Sequence, residues 1–234
     1  MNGLYSQLEA KLASGEKQLA VLIDPDKFND TEAEEFIKRL PEGVTHIFVG
    51  GSTVEDEKTA LSVTAVKKYT NLPVILFPGS HTQITDAADG ILFLSLISGR
   101  NPEYLIEQQV RSVQKLRDSK LEIIPTGYVL IDGGKECAVQ RVSNTRPIPQ
   151  TEVETVVHTS LAGQFSGKKL IYLEAGSGAL KPVSEEIVGE VKKAINIPLI
   201  VGGGIRSREQ LERAFKAGAD LVVIGTAFEN GGLN

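Results

Sequence analysis

Eight short, nearly continuous apolar runs, most of them separated by segments of helical periodicity, constrain this chain more than any other feature. They fall at residues 19–23, 45–49, 74–77, 91–94, 121–124 with a possible extension towards Leu130, 169–173, 199–201 and 221–224. Runs of this kind suit strands of a parallel sheet, which are buried on both faces and so lose the polar alternation of a half-exposed strand. Apolar stripes at 3.6-residue spacing lie between most of them, so strand and helix alternate eight times. This order points to an α/β fold of the (β/α)8 TIM-barrel type, in which chemistry is expected at the carboxyl ends of the strands.

The connecting segments refine the picture. Leu4, Leu8 and Leu12 recur at helical spacing before Gly15 stops the pattern, so a leading helix is expected to cover one end of the sheet. Thr31 to Glu34, Thr151 to Glu154 and Ser207 to Gln210 have the form of helix N-caps. Asn101-Pro102 supplies a cap and a first-turn proline before an apolar stripe of Leu105, Ile106, Val110, Val113 and Leu116. Only 13 residues, 78–90, separate the third run from the fourth, so the third helix should be stunted or missing. After Gly225 the sequence leaves no room for a full final helix. Residues 132–150 lack periodicity and read as a lid over the strand ends. With no internal repeat and no linker, residues 1–234 read as a single TIM-barrel domain.

Bulk composition excludes several functions. A net charge of −5 and a pI near 5.4 do not provide a nucleic-acid surface, so any anion site must be local. Cys137 is the sole cysteine, which offers no disulfide framework or cysteine-rich metal site and suits the cytoplasm. The N-terminus lacks a basic segment followed by an apolar one, and residues 91–97 are too short to span a bilayer, so neither export nor a transmembrane segment is expected.

The polar residues at the strand ends carry the chemistry. Tyr172-Leu173-Glu174-Ala175-Gly176-Ser177-Gly178 closes the sixth strand with a tyrosine and a carboxylate beside a small, flexible loop whose amides can approach a phosphate. Gly202-Gly203-Gly204 and Gly225-Thr226 end the next two strands, and three such loops side by side would make a phosphate cradle. Asp24-Pro25-Asp26-Lys27 ends the first strand and Gly50-Gly51-Ser52-Thr53 the second. A carboxylate with a hydroxyl suits magnesium, which shares its shell with substrate phosphates, and a lysine can meet phosphate as a point charge. The same residues also read as a solvated turn with Asp24 as its cap. His46, His81 and His158 have no ligand spacing, Tyr104 and Tyr128 read as core, and Arg206 fits an anion contact and a surface cation equally well.

Joined together, Asp24-Pro25-Asp26-Lys27, Gly50-Gly51-Ser52, Phe77-Pro78-Gly79-Ser80, the stretch from Tyr172 to Gly178, Gly202-Gly203-Gly204-Ile205-Arg206 and Gly225-Thr226-Ala227-Phe228 resemble the geranylgeranylglyceryl phosphate synthase family, which includes bacterial heptaprenylglyceryl phosphate synthases. The match runs from the first strand to the eighth. Its glycine triplet is shared with many phosphate-binding barrels, whereas the tyrosine-glutamate stretch combined with the Asp-Pro-Asp-Lys turn is specific. The resemblance implies a prenyltransferase that joins sn-glycerol 1-phosphate to a long prenyl diphosphate, geranylgeranyl diphosphate foremost, forming an ether and releasing diphosphate with Mg2+. It implies that Asp24 and Ser52 hold the metal and that Lys27 faces the diphosphate. Tyr172, Leu173, Glu174, Ala175, Gly176, Ser177, Gly178, Gly203, Gly204, Gly225 and Thr226 would bind glycerol phosphate, with Glu174, Tyr172 and Lys27 catalytic. A homo-oligomer with possible peripheral membrane contact would follow. The family lacks the third helix, in agreement with the short gap, while the missing final helix departs from its pattern.

The implied chemistry is coherent, because an allylic diphosphate ionises once its leaving group is stabilised, and the enzyme then positions the hydroxyl. Glu174 can take the hydroxyl proton while Tyr172 orients the glycerol. Leu94, Leu96 and Ile97, with the segment after the third strand, could line a prenyl groove. Two alternatives share the glycine loops: a phosphosugar isomerase-type phosphate-binding barrel and a non-catalytic phosphometabolite-binding protein.

Overall fold

Each of the eight apolar runs contains a strand: β1 Gln18–Ile23, β2 Val44–Val49, β3 Val74–Leu76, β4 Gly90–Leu96, β5 Glu122–Leu130, β6 Leu170–Glu174, β7 Leu199–Gly202 and β8 Leu221–Ile224. In the computed structural model, which describes residues 3–55 and 57–229, they pair in parallel in chain order, and β8 returns to β1 to close the barrel. Because side chains alternate across a strand, each strand feeds two apolar layers. Ala20, Phe48, Ile75, Leu92, Ile124, Tyr172, Ile200 and Val223 belong to the barrel interior. Val21, Leu173, Val201 and Val222 pack outward with the helices α6 Val153–Phe165, α7 Glu185–Ala194 and α8 Arg208–Ala217.

The leading helix, α1 Leu4–Ala13, closes the amino-terminal end of the barrel by burying Leu8. Glu122, at the start of β5, accepts hydrogen bonds from the first-turn amides of Leu4 and Tyr5, placing a carboxylate on the positive end of the helix. No helix occurs between β3 and β4, as the short gap implied. The final helix, α9 Thr226–Glu229, is one turn long, and the expectation for the chain beyond it lies outside the described residues. Residues 132–150 contain the short helix α5 Ala138–Ser143, and Cys137 and Val139 pack onto the barrel-interior cluster. The segment therefore covers the strand ends as a compact strap.

Local details depart from the sequence reading where side-chain competition decides. Ser207 caps α8, its hydroxyl accepting from the Gln210 amide at 3.2 Å. Thr31 does not cap its helix: Asn29 accepts from the Thr31 amide and starts a 3-10 turn before α2 Ala33–Lys38. Thr151 is no cap either, because α6 begins after a turn in which the Glu152 amide donates to Pro149. Of the stripe at 105–116, Leu116 is buried as expected, whereas Ile106, Val110 and Val113 are not. A π turn, Glu103–Glu107, precedes α4 Gln108–Arg117, and its wider winding rotates the face that follows. Gln109 and Ser112 therefore join Leu116 on the buried face, and Ile106, Val110 and Val113 are exposed. In α3 Lys58–Lys67, Leu61 likewise faces outward while Val63 and Val66 are buried.

His46 shares the interior face of β2 with Phe48, and its Nδ1 lies 2.8 Å from the Thr45 hydroxyl. Burial, with Lys11 nearby, lowers its pKa to about 4, so the fold favours the neutral ring. Stability from this group is complete above the unfolded pKa near 6.5 and is lost as pH falls towards 4, a loss on the order of 3 kcal/mol. Denaturant titrations at several pH values should show that loss in the parent protein and a shallower slope for His46→Gln; parallel slopes would remove His46 from the account.

Candidate active site

At the carboxyl end of the barrel lies a cavity of about 310 Å³. Its lining includes Asp24, Lys27, Ser52, Tyr172, Glu174, Ser177, Gly178, Gly203, Gly204, Gly225 and Thr226. Strand ends from opposite sides of the barrel thus bring most of the sequence-predicted residues together. The side chains of Leu173 and Ala175 are not part of the lining, because strand alternation turns them into the outer apolar layer. Gly176 lies behind the wall, where its amide donates to Glu174 Oε1 at 2.7 Å. Asp26 also turns away: its carboxylate pairs with Lys58 at 3.3 Å and accepts from the Glu55 amide.

Glu174 is the electrostatic centre of the cavity. Burial raises its pKa to about 7, against the opposing pull of the Gly176 amide and the neighbouring Tyr172 hydroxyl. The carboxyl group is therefore poised between proton acceptor and donor near neutrality. Tyr172 is fully buried, and its hydroxyl lies beside the Glu174 carboxyl without a hydrogen bond of standard geometry. Burial also pushes the Tyr172 and Tyr128 pKa values well up, keeping both phenols neutral.

Two glycines give Glu174 its space. A Cβ on Gly202 would lie 2.3 Å from the Tyr172 hydroxyl and 2.9 Å from Glu174 Oε2. One on Gly203 would lie 2.4 Å from Glu174 Oε1, and Gly203 has a left-handed φ of +84°. Gly204, with φ +73°, packs instead on the Lys181–Pro182 backbone, where a Cβ would lie 2.9 Å from the Pro182 nitrogen. Among the described residues, the amides of Ser177, Gly178, Gly203 and Gly204 make no hydrogen bond within the chain. Unpaired amides on two adjacent loops, with the Ser177 and Thr226 hydroxyls 3.3 Å apart, form a cradle suited to a tetrahedral oxyanion.

Across the cavity, Asp24 caps its own turn and faces Lys27. One carboxylate oxygen accepts from the Asp26 amide and caps the turn, and the other pairs with Lys27 at 3.2 Å. Asp24 Oδ1 also lies close to Gly51, where a Cβ would be 3.3 Å away, so the Ser52 loop adjoins this carboxylate. No group of three or more His, Cys, Asp or Glu able to hold a metal occurs among the described residues. One carboxylate and one hydroxyl fit magnesium, which retains waters and takes substrate phosphates, and do not fit a metal that requires a full protein cage.

A second, smaller cavity of about 100 Å³ opens where no helix joins β3 to β4. Phe77, Ile84, Leu92, Leu94, Leu96 and Tyr104 form much of its wall. Ile97 packs instead outside the barrel with the outer layer. Gly51, Ser52, Phe77, Tyr128 and Val139 line both cavities and so mark their junction. Beneath it the rings of Phe77, Tyr172 and Tyr128 stack at 5.2 and 5.4 Å.

A family model described as the PcrB family matches residues 13–233. The chain belongs to the PcrB family. A geranylgeranylglyceryl phosphate synthase of Zunongwangia profunda is 65% identical over 215 residues, covering 92% of each chain. Another, from Flavobacterium johnsoniae, is 50% identical over 95% of this chain and 92% of its own. Among solved structures, the (S)-3-O-geranylgeranylglyceryl phosphate synthase of Thermoplasma acidophilum, in complex with substrate sn-glycerol-1-phosphate, superposes with a TM-score of 0.90. It is 36% identical and the match covers 99% of this chain and 93% of that one.

Sequence reasoning missed several residues that shape the site of this family member. Tyr128 is core, as expected, and also lines both cavities. Ala138 and Val139 line the larger cavity from α5, and Gln150 bridges Asp132 to the β6–α7 loop. None has a motif, since each acts through a fold-dependent contact.

Gly203→Ala should destabilise the protein by about 1–3 kcal/mol, because the left-handed backbone and the contact with Glu174 both oppose a Cβ. Gly189→Ala in α7, where the nearest atom is 3.5 Å from the added carbon, is the matched control. It should be neutral or stabilising by roughly 0.5–1 kcal/mol. Chemical denaturation of both variants decides; equal effects would remove the packing argument.

Proposed function

We propose that this chain is a prenyltransferase that joins sn-glycerol 1-phosphate to geranylgeranyl diphosphate or a related long-chain prenyl diphosphate, releasing diphosphate. The observation that carries the reading is the meeting of two unlike cavities, one polar with unpaired amides and a poised carboxylate, the other a small apolar groove. A substrate pair with a small phosphorylated alcohol on one side and a long hydrocarbon tail on the other fits this division. An isomerase-type barrel needs no apolar groove beside its phosphate cradle. The synthase names of relatives up to 65% identical support the same reading.

Each group has a role that its environment supports. The amides of Ser177, Gly178, Gly203 and Gly204, with Gly225 and Thr226, hold the phosphate of glycerol phosphate. The Tyr172 hydroxyl orients the glycerol, and Glu174 accepts the proton of the attacking hydroxyl as the ether bond forms. Lys27 faces the diphosphate and offsets the charge of the leaving group. Asp24 and Ser52 would hold Mg2+, which when bound neutralises part of the diphosphate charge. Phe77 and Tyr128 line the junction where positive charge develops on the prenyl carbon, and aromatic faces favour such charge. No described helix is long and apolar enough to cross a membrane, so a prenyl substrate would be met at its surface or in solution.

The direct test is incubation with both substrates and Mg2+, followed by mass analysis and diphosphate assay. An ether-linked prenylglyceryl phosphate with stoichiometric diphosphate is expected; phosphate-ligand binding without turnover would leave a non-catalytic binder. If Glu174 is the base, kcat/KM should rise with pH through about 7 and then level, because only the ionised carboxylate accepts the proton. Glu174→Gln should remove that limb and lower the rate by ~10²–10⁴-fold. An unchanged limb would assign the titration elsewhere. Asp24→Asn should raise the Mg2+ concentration needed for half-maximal rate while leaving glycerol phosphate affinity unaltered. Superimposable Mg2+ titrations would reduce Asp24 to its turn-capping role.

A further inference from the structure

Arg206 is the cation in the larger cavity that the proposed mechanism does not use. Its side chain leaves the loop after β7 and crosses to the loop after β6, where Nη2 donates to the carbonyls of Gly178 at 3.3 Å and Ala179 at 2.6 Å. Its backbone is held in turn, since the Arg206 amide donates to Gln210 Oε1 at 2.7 Å and Ser207 caps the helix that follows. On its outer side the β6–α7 loop is tied to the strap by Leu180 and Lys181 amides on the Gly133 carbonyl and by Gln150 on the Pro182 carbonyl. On the cavity side Arg206 makes a tie, beside the contact of the Ser177 and Thr226 hydroxyls.

We propose that Arg206 is a positioning residue for the phosphate cradle, holding the Gly178 and Ala179 carbonyls so that the neighbouring Ser177 and Gly178 amides stay free for the phosphate of the small substrate. This rests on the function proposed above. A carbonyl turned towards the cradle would meet a phosphate with like partial charge, so the direction of these peptide planes sets affinity. Gly176 and Gly178 have φ of +99° and +70°, and glycines leave a loop free to rotate its peptides unless something holds them. The Ala179 amide closes the turn from within by donating to the Gly176 carbonyl at 3.1 Å, and one guanidinium nitrogen bridging the Gly178 and Ala179 carbonyls holds their oxygen ends with a planar group anchored at its base. A lysine would keep the charge and lose that geometry.

The test compares Arg206→Lys and Arg206→Gln with the parent enzyme. Both should raise KM for sn-glycerol 1-phosphate roughly tenfold, the scale of one charge-assisted hydrogen bond. The inhibition constant of inorganic phosphate should rise in the same proportion, while KM for the prenyl diphosphate and kcat at saturation stay within about twofold. A lysine variant with parental KM would assign Arg206 to charge alone, and unchanged KM with lowered kcat and melting temperature would make it a structural tie; either result overturns the proposal. Calorimetry with inorganic phosphate keeps the two readings apart. Phosphate affinity that falls in both variants, in a protein without prenyl transfer, would retain the role of Arg206 and discard the substrate assignment.

Discussion

The burial of the Glu174 carboxylate at the end of β6 is the constraint on which the rest of the site depends. Closing a carboxyl group off from water is costly, and here the fold offsets the cost with the Gly176 amide and by letting the group titrate near neutrality. The geometry requires neighbours without side chains. Gly202 and Gly203 come within contact distance of the carboxylate and of Tyr172, and Gly203 adopts a backbone conformation that glycine reaches without strain. The glycine triplet thus does two things at once: it clears space for a buried carboxyl group and leaves the Gly203 and Gly204 amides unpaired. A motif commonly read as phosphate-binding is here equally a device for packing a carboxylate.

The second organising feature is an omission. Without a helix between β3 and β4, the interior side chains Phe77, Leu92, Leu94 and Leu96 border a cavity on that side of the barrel, and the π turn before α4 brings Tyr104 to the same wall. Here they form a groove that reaches the polar cavity at Ser52, Phe77 and Tyr128. Acid–base group, anion cradle and apolar groove therefore converge, because one helix is missing and three loops are glycine-rich.

Much of this was legible in the sequence, for physical reasons. Parallel strands buried on both faces leave continuous apolar runs, so all eight could be found, and a 13-residue gap cannot hold a helix and both its turns. Strand-end motifs placed Asp24, Lys27, Ser52, Tyr172, Glu174 and the glycine loops in one cavity, since every parallel strand delivers its end to the same face. What failed depended on angles or competing partners. The π turn rotated the exposed face of α4, Lys58 drew Asp26 out of the cavity, and Asn29 replaced Thr31 as a cap. Arg206 was undecidable because its partners are backbone carbonyls of another loop, which leave no trace in residue types.

The central claim is that the two cavities hold the two substrates with Glu174 at the point of attack. It is tested most directly by a crystal structure of the ternary complex with sn-glycerol 1-phosphate and an unreactive thiolodiphosphate analogue of the prenyl substrate. The account predicts the glycerol phosphate anion on the amides of Gly178, Gly203 and Gly204, its free primary hydroxyl beside Glu174, and the prenyl tail running past Phe77 into the groove. A phosphate of glycerol phosphate bound at Asp24 and Lys27, or a tail lying outside the gap between β3 and β4, would contradict it.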